Sequence, residues 1–239
     1  MDPRLNSLTP KKLLRSLADL LMPRVCVVCG RPLLDSEQDL CFGCRADLPL
    51  TMFWDLSRNP MADRFNALVE AQAYVRVAAL FYYSGDYSNI TRALKYSRNF
   101  GCGRRMAGAL GEHLAGAGWK PDVVCCVPLH WTRRWSRGYN QAEVIGRELA
   151  ARLGARFEPR MLVRVRRTSS QTRLTEEQRR SNVAGAFRVR TAGLVRPQEI
   201  LLVDDVFTTG STLAACYAAL RQAFGPSVRI CIATLAYAG

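Results

Sequence analysis

The chain has 239 residues, 49% of them hydrophobic and 23% charged, enough for one α/β domain with a small appendage and too apolar for wholesale disorder. Its formal net charge is +14, and no apolar run approaches the roughly 18 residues of a membrane span. The nine cysteines are an odd number, and the N-terminus has neither a continuous apolar core nor a small-residue cleavage site; together these speak against a disulfide framework and a signal peptide and for a reducing cytoplasm.

In chain order, "KKLLRSLADLL" (11–21) predicts a short amphipathic helix. A packing helix suits it better than a membrane-surface helix, because its apolar face is short. "CVVCGRPLLDSEQDLCFGC" follows, with Cys26, Cys29, Cys41 and Cys44 spaced C-x2-C, eleven residues, C-x2-C. Each C-x2-C turn can aim two thiolates at one point, and two turns complete a tetrahedron, which predicts structural zinc. A redox dithiol is the alternative, but it does not explain two paired units. Gly30 and Gly43 fall at the turns, where positive φ is expected. "LTMFWDLSRNPMADRF" (50–65) reads as an irregular linker whose aromatics, Phe53, Trp54 and Phe65, pack on something. The expected domains are 1–55, an N-terminal helix with a four-cysteine zinc knuckle, and 56–239, a larger α/β domain.

Beyond residue 70 strands and helices alternate. "AYVRVAALFYY" reads as a strand, "GDYSNITRALKYSRN" as a turn and helix, and "GRRMAGALGEHLAGAG" as a second helix ended by glycines. "PDVVCCVPL" is a short apolar strand. "NQAEVIGRELAARLG" is a helix with Asn140 at the N-cap and Glu143 at N3. "MLVRVR" is a strand candidate, and "TEEQRRSNVAGAF" has Thr175 and Gln178 at capping-box spacing. "EILLVDD", "STLAACYAALRQAFG" and "SVRICIATLA" close the chain as strand, helix and strand. The pattern predicts a parallel sheet flanked by helices. The remaining cysteines (Cys102, Cys125, Cys126, Cys216 and Cys231) sit in apolar or helical contexts and read as buried small hydrophobes.

In such sheets ligands sit at the carboxyl ends of strands, where "VDDVFTTGST" places Asp204 and Asp205. Thr208, Thr209, Gly210, Ser211 and Thr212 then lead into a helix, whose N-terminus favours a phosphate. Donors for a phosphate beside acceptors for hydroxyls suit a sugar phosphate or nucleotide. The lysine of a GxxxxGK[ST] loop is absent. Between His130 and Arg190 stand 15 Arg against five acidic residues (Glu143, Glu148, Glu158, Glu176 and Glu177). Such a segment attracts polyanions, with a solvated basic face as the plainer alternative.

"ILLVDDVFTTGST" closely resembles the phosphoribosyl pyrophosphate (PRPP) signature of type I phosphoribosyltransferases. The cysteine knuckle, "YSGDYSNITRALKYSRNFG", "VPLHWTRRWSRGYNQAEVIGRELA" and "LVRVRRTSSQTRLTEEQRRSNVAGAF" resemble segments of the ComF family. The resemblance implies a type I phosphoribosyltransferase-like α/β fold with a small N-terminal zinc-knuckle domain. It implies that Asp204 and Asp205 hold the ribose hydroxyls, partly through Mg²⁺, and are the catalytic pair. Thr208, Thr209, Gly210, Ser211 and Thr212 would hold the 5-phosphate. Pro128, Leu129 and His130 would line the pyrophosphate side, with Lys95, Arg133 and Arg137 as further contacts. Gly138, Tyr139, Asn140 and Gln141 form a candidate acceptor surface. His130 could also serve as a general base, although a lone loop histidine is more often structural.

The family's link to natural transformation implies single-stranded DNA as a partner. The candidate nucleic-acid residues are Arg134, Trp135, Arg137, Tyr139, Arg166, Arg167 and Arg173, arginines interleaved with aromatics. Three readings stay open: a PRPP-binding competence protein handling single-stranded DNA, an active Mg²⁺-dependent phosphoribosyltransferase on an unidentified acceptor, and a zinc-knuckle adaptor without turnover. A competence helicase or another DNA-processing protein is the implied protein partner, in the cytoplasm.

Overall fold

The computed structural model describes residues 23–69, 74–97, 99–129, 138–165, 185–191 and 196–239. The expected helix at 11–21 and the capping-box segment at 175–184 lie outside them. The chain divides into two compact units between Leu48 and Pro49.

The smaller unit is built from turns. Cys26–Gly30 closes as a turn, with the Gly30 N–H donating to the Cys26 carbonyl at 2.8 Å. Gly30 takes φ +75°, as expected, whereas Gly43 lies within helix α1 (Phe42–Ala46) and needs no left-handed backbone. Isolated bridges join Val25 to Pro32 and Gln38 to Leu40. No residue of α1 is buried, and among the described residues of this unit the buried apolar ones are Val28 and Leu40, beside Cys26 and Cys41. A buried acid helps too. Glu37 accepts from the Leu34 N–H at 2.8 Å, the Phe42 N–H at 2.7 Å and the Arg31 guanidinium at 2.8 Å, tying the two halves together. Those backbone N–H bonds hold its carboxyl below the usual range.

The larger unit carries a five-stranded parallel sheet. Its strands are β1 (Val77–Tyr82), β2 (Val123–Cys126), β3 (Arg156–Phe157), β6 (Glu199–Phe207) and β7 (Arg229–Tyr237), in the order β1-β7-β6-β2-β3. β6 and β7 are near-continuous apolar runs because helices cover both faces of such a sheet. Ile200 to Val203 are fully buried, as are Ile232, Ala233 and Leu235. The helices are α2 (Pro60–Asn66), α3 (Ser88–Tyr96), α4 (Phe100–Gly116), α5 (Gln141–Leu153) and α6 (Ser211–Phe224). α4 and α5 pack on each other, α5 packs on β2 and β6, and α6 packs on β6. At Gly146 a Cβ would come within 2.5 Å of Cys126 Sγ and 3.0 Å of Phe157, so only glycine lets α5 lie this close to the sheet.

Two readings of the sequence are corrected. Residues 60–66, irregular by their composition, form α2. Asn59 caps it by accepting from the Ala62 N–H at 2.8 Å, and Pro60 opens it. "MLVRVR" supplies β4 (Leu162–Arg164), which pairs antiparallel with β5 (Phe187–Val189) apart from the parallel sheet. The aromatics of 50–65 do pack. Phe53 meets Tyr82 and Tyr237 edge-on, Phe65 meets Phe207 and Tyr217, and Trp54 stacks on His113 at 4.2 Å. His113, for which the sequence shows no partner, is thus part of the core's wall. The five remaining cysteines are all buried, and burial pushes the thiols of Cys125, Cys126, Cys216 and Cys231 up, leaving them unreactive.

Candidate functional site

The strand order creates the site. After β2 the chain moves to one side, through α5 to β3, and after β6 it moves to the other, through α6 to β7. The two exits diverge and leave a crevice between the carboxyl ends of β2 and β6, the place where open α/β sheets take ligands. β2 pairs with β6 only as far as Cys126 opposite Val203. Val127 adds one bond, its N–H donating to the Val203 carbonyl at 2.9 Å. Asp204 to Phe207 therefore run past the end of β2, and Pro128 and Leu129 leave the sheet beside them.

Asp204 and Asp205 stand side by side at the end of β6, close enough for their carboxyls to interact. Asp204 and Val206 line a small polar hollow, completed by residues 208–213. Asp205 meets Lys95 of α3, Nζ to Oδ2 at 2.7 Å. The Asp205 N–H donates to Asp204 Oδ1 at 2.9 Å. Burial, with the Asp205 charge next to it, pushes the Asp204 carboxyl up to about 8. A carboxylate destabilised in this way gains most from a cation or a hydroxyl donor.

The loop after β6 is shaped for an anion. Gly210 has φ +76°, and a Cβ there would lie 2.7 Å from the Phe207 ring and 2.9 Å from Leu68, so both backbone and space require glycine. Gly210, at the N-cap of α6, has no side chain to cap it, Thr209 Oγ1 accepts from the Ser211 N–H at 3.4 Å, and the first turn helps to line the hollow. Thr209 Oγ1 and Ser211 Oγ lie 3.0 Å apart, leaving hydroxyls clustered where the helix begins. Open first-turn N–H groups, the helix dipole and clustered hydroxyls together suit a phosphate.

The structure thus gathers Asp204 and Thr208 to Thr212 around one hollow and sets Lys95 on Asp205, while Pro128 and Leu129 follow the end of β2. His130, Arg133, Arg134, Trp135, Arg137, Arg166, Arg167 and Arg173 lie outside the described residues. Tyr139 is half-buried. Its hydroxyl donates to the Leu94 carbonyl and its ring meets Phe100 edge-on at 4.6 Å, so it is engaged in packing and is not an open stacking platform. Asn140 is buried, capping α5 through the Ala142 N–H at 3.2 Å while its Nδ2 donates to the Val127 carbonyl at 3.0 Å. Gln141 is buried beside it, and its amide nitrogen has no partner among the described residues. Sequence reasoning placed Lys95 near a phosphate; its contact with Asp205, 110 residues away, had no local signal.

In the smaller unit, the Sγ atoms of Cys26, Cys29, Cys41 and Cys44 all lie within 4.8 Å of one another. Four thiolates around one tetrahedral ion at about 2.3 Å stand about 3.8 Å apart, and Cys29 and Cys41 are 3.8 Å apart. The Cys41 N–H donates to Cys26 Sγ at 3.3 Å and the Cys44 N–H to Cys41 Sγ at 3.4 Å, the latter holding the Cys41 thiol below its ordinary value. The donor set and its geometry can hold a zinc ion.

A family model described as "Phosphoribosyl transferase domain" matches residues 100–239, more than half of the chain. The chain belongs to the phosphoribosyl transferase domain family. The matched residues take in the whole of β2, β6 and the loop after it. Over 205 residues the chain is 29% identical to the DNA utilization protein YhgH of Salmonella typhimurium, covering 82% of this chain and 89% of that protein. Competence protein F of Haemophilus influenzae is 28% identical over 209 residues, covering 82% and 90%. These relatives bear out the resemblance to the ComF family. Among solved structures, the adenine phosphoribosyltransferase of Leishmania tarentolae matches with a TM-score of 0.37 at 14% identity, over 86% of this chain and 90% of that one. No described helix of this phosphoribosyl transferase domain protein is long and apolar enough to cross a membrane.

Proposed function

We propose that this chain is a ComF-type competence protein that binds PRPP in the crevice between β2 and β6 and acts on single-stranded DNA during DNA uptake. One observation carries the PRPP reading. A destabilised carboxylate, Asp204, shares a polar hollow with a hydroxyl-rich helix N-terminus, entered through Gly210, at the sheet's topological switch. A sugar phosphate needs both kinds of partner at that spacing. Thr208 to Thr212 hold the 5-phosphate through N–H and hydroxyl donors. Asp204 and Asp205 accept from the ribose hydroxyls, and Lys95 holds Asp205 in place. Pro128 and Leu129 offer backbone groups to the pyrophosphate, with His130, Arg133 and Arg137 following in the chain. Mg²⁺ bound by Asp204 and Asp205 would offset charge on the pyrophosphate, and zinc bound by the four cysteines would fix the smaller unit.

The DNA reading is supported by the names of the two relatives and by the arginine-rich stretch from 130 to 190, including Arg134, Trp135, Arg137, Arg166, Arg167 and Arg173. Its binding to an oligonucleotide should weaken steeply with added salt through counterion release.

Turnover is a second reading, favoured by the retained acid pair. An acceptor would form a bond to C1 of the ribose while the C1–O bond to pyrophosphate breaks, the pyrophosphate leaving with the electron pair. The test is calorimetric titration of the full chain with PRPP, with and without Mg²⁺ and a short single-stranded oligonucleotide, together with an assay for released pyrophosphate. Mg²⁺-dependent binding that is lost in Asp204→Asn/Asp205→Asn supports the site. Equal affinity in that variant overturns it. Oligonucleotide-dependent release of pyrophosphate would establish turnover.

A further inference from the structure

At the opposite end of the sheet from Asp204 is a larger cavity, of about 420 Å³, which the proposed chemistry does not use. It opens where β1, β6 and β7 begin. Along β6 the distance from Glu199 to Asp204 is about 17 Å at the usual strand rise, so the two sites are separate. The volume lies in the range of small-molecule sites, about 300–1,000 Å³.

Its walls are unevenly charged. Arg76, Lys120, Arg221 and Arg229 stand against one acid, Glu199. That acid is already committed: it accepts from Arg229 Nε at 2.9 Å and lies 3.7 Å from the Cys231 thiol. The nearby Asp122 is committed too, accepting from the Gln198 and Glu199 N–H groups at 2.7 and 2.8 Å. Arg221 is part of the scaffold, donating to Tyr217 Oη and to the Val228, Pro226 and Gly225 carbonyls. Arg76 and Lys120 have no carboxylate partner among the described residues.

Arg76 is also held in a set pose. Its guanidinium lies 4.3 Å from the centroid of the buried Trp119 ring. A guanidinium stacked on a ring keeps its in-plane N–H donors free, the fork that matches a phosphate. Lys120 follows Trp119 directly. The rest of the lining, Tyr74, Val75, Gly118, Ile230 and Cys231, is uncharged and mostly aromatic or apolar, and suits the body of a ligand more than a second charge.

We propose that this cavity is a second binding site, for a phosphomonoester of nucleotide size, with Arg76 and Lys120 on the phosphate and the Tyr74–Val75–Ile230 wall against the body. A concave site of this volume favours a small molecule over the backbone of a polymer.

The test uses the full-length chain carrying Asp204→Asn and Asp205→Asn, which silences the other end of the sheet. AMP, ribose 5-phosphate, inorganic phosphate and adenosine are titrated separately by calorimetry, with amide chemical shifts of Tyr74 to Val77 and Arg229 to Ile232 as the positional readout. AMP is expected to saturate, to bind at least about tenfold more tightly than adenosine and inorganic phosphate, and to shift those amides. Adding Arg76→Gln and Lys120→Gln, both at exposed positions, should weaken AMP about tenfold or more with the melting temperature unchanged. Failure of AMP to saturate, equal binding of adenosine or inorganic phosphate, or affinity indifferent to the glutamines would each overturn the assignment. Because the acid pair is absent from every sample, none of these results depends on whether PRPP binds at the carboxyl ends.

Discussion

The two units of this chain are held together by different means. The sheet unit buries β6 and β7 under helices on both sides, so its fold follows from area removed from water. The knuckle, ending at Leu48, buries nothing from its helix and converges on four sulfurs and one buried glutamate. A segment this short cannot build a sufficient apolar core. With zinc on the four sulfurs its shape would be conditional on the metal, whereas the sheet's would not.

The largest effect that would sharpen this contrast comes from the sulfurs. Cys26→Ser with Cys41→Ser, or prolonged chelation, should unfold the knuckle. The amides of 24–47 would lose protection in hydrogen exchange while those of β6 and β7 keep theirs, and metal analysis should fall from about one zinc per chain to none. Equal loss in both units would break the comparison. Next comes Gly210→Ala, which adds a Cβ against Phe207 and Leu68 at positive φ. It should cost about 1–3 kcal/mol by denaturant unfolding and weaken PRPP binding at least as much. A neutral result would show that the loop can relax.

A smaller, pH-dependent effect is expected at Asp204. Its carboxyl titrates higher in the folded chain than in the unfolded one, so between about pH 4 and 8 the native state holds more protons. Stability then falls as pH rises through that window. Asp204→Asn should raise the melting temperature most at pH 8, by a few degrees, and the gain should vanish toward pH 4. A gain independent of pH would contradict the burial argument. The smallest effect is Glu37→Gln, which removes the charge from the knuckle's cross-link. Faster hydrogen exchange at the Leu34 and Phe42 amides is expected, with the sheet unmoved.

Much of the sheet was readable because its signals are local. The apolar run of β6, the Asn140 cap of α5 and the Thr/Gly loop before α6 each follow from neighbouring residues. The hollow at Asp204 could be anticipated for the same reason, since an acid pair followed by a helix start is one continuous stretch. Pairings distant in sequence were not readable. Nothing in "MLVRVR" says that it leaves the parallel sheet to pair with residues 187–189. Nor does any neighbour announce that Glu37 is buried, or that Lys95 reaches Asp205. The two-residue β3 is too short to carry a period. Helix α2 was missed although Asn59-Pro60 announces it, because the mixed polarity of 50–65 masked the cap.

The hydrogen bond from Asn140 to the Val127 carbonyl has a consequence for how this chain could be altered. It fastens the residue that follows β2 to the residue that caps α5. Once the ends of a loop are joined by the scaffold, the length and composition between them cost the scaffold little. The sequence between Leu129 and Gly138 is thus the part to exchange, with Tyr139 kept for its bond to the Leu94 carbonyl. Grafting the corresponding segment from a relative should change what the crevice grips, and how tightly, with β2, β6 and α5 left as they are.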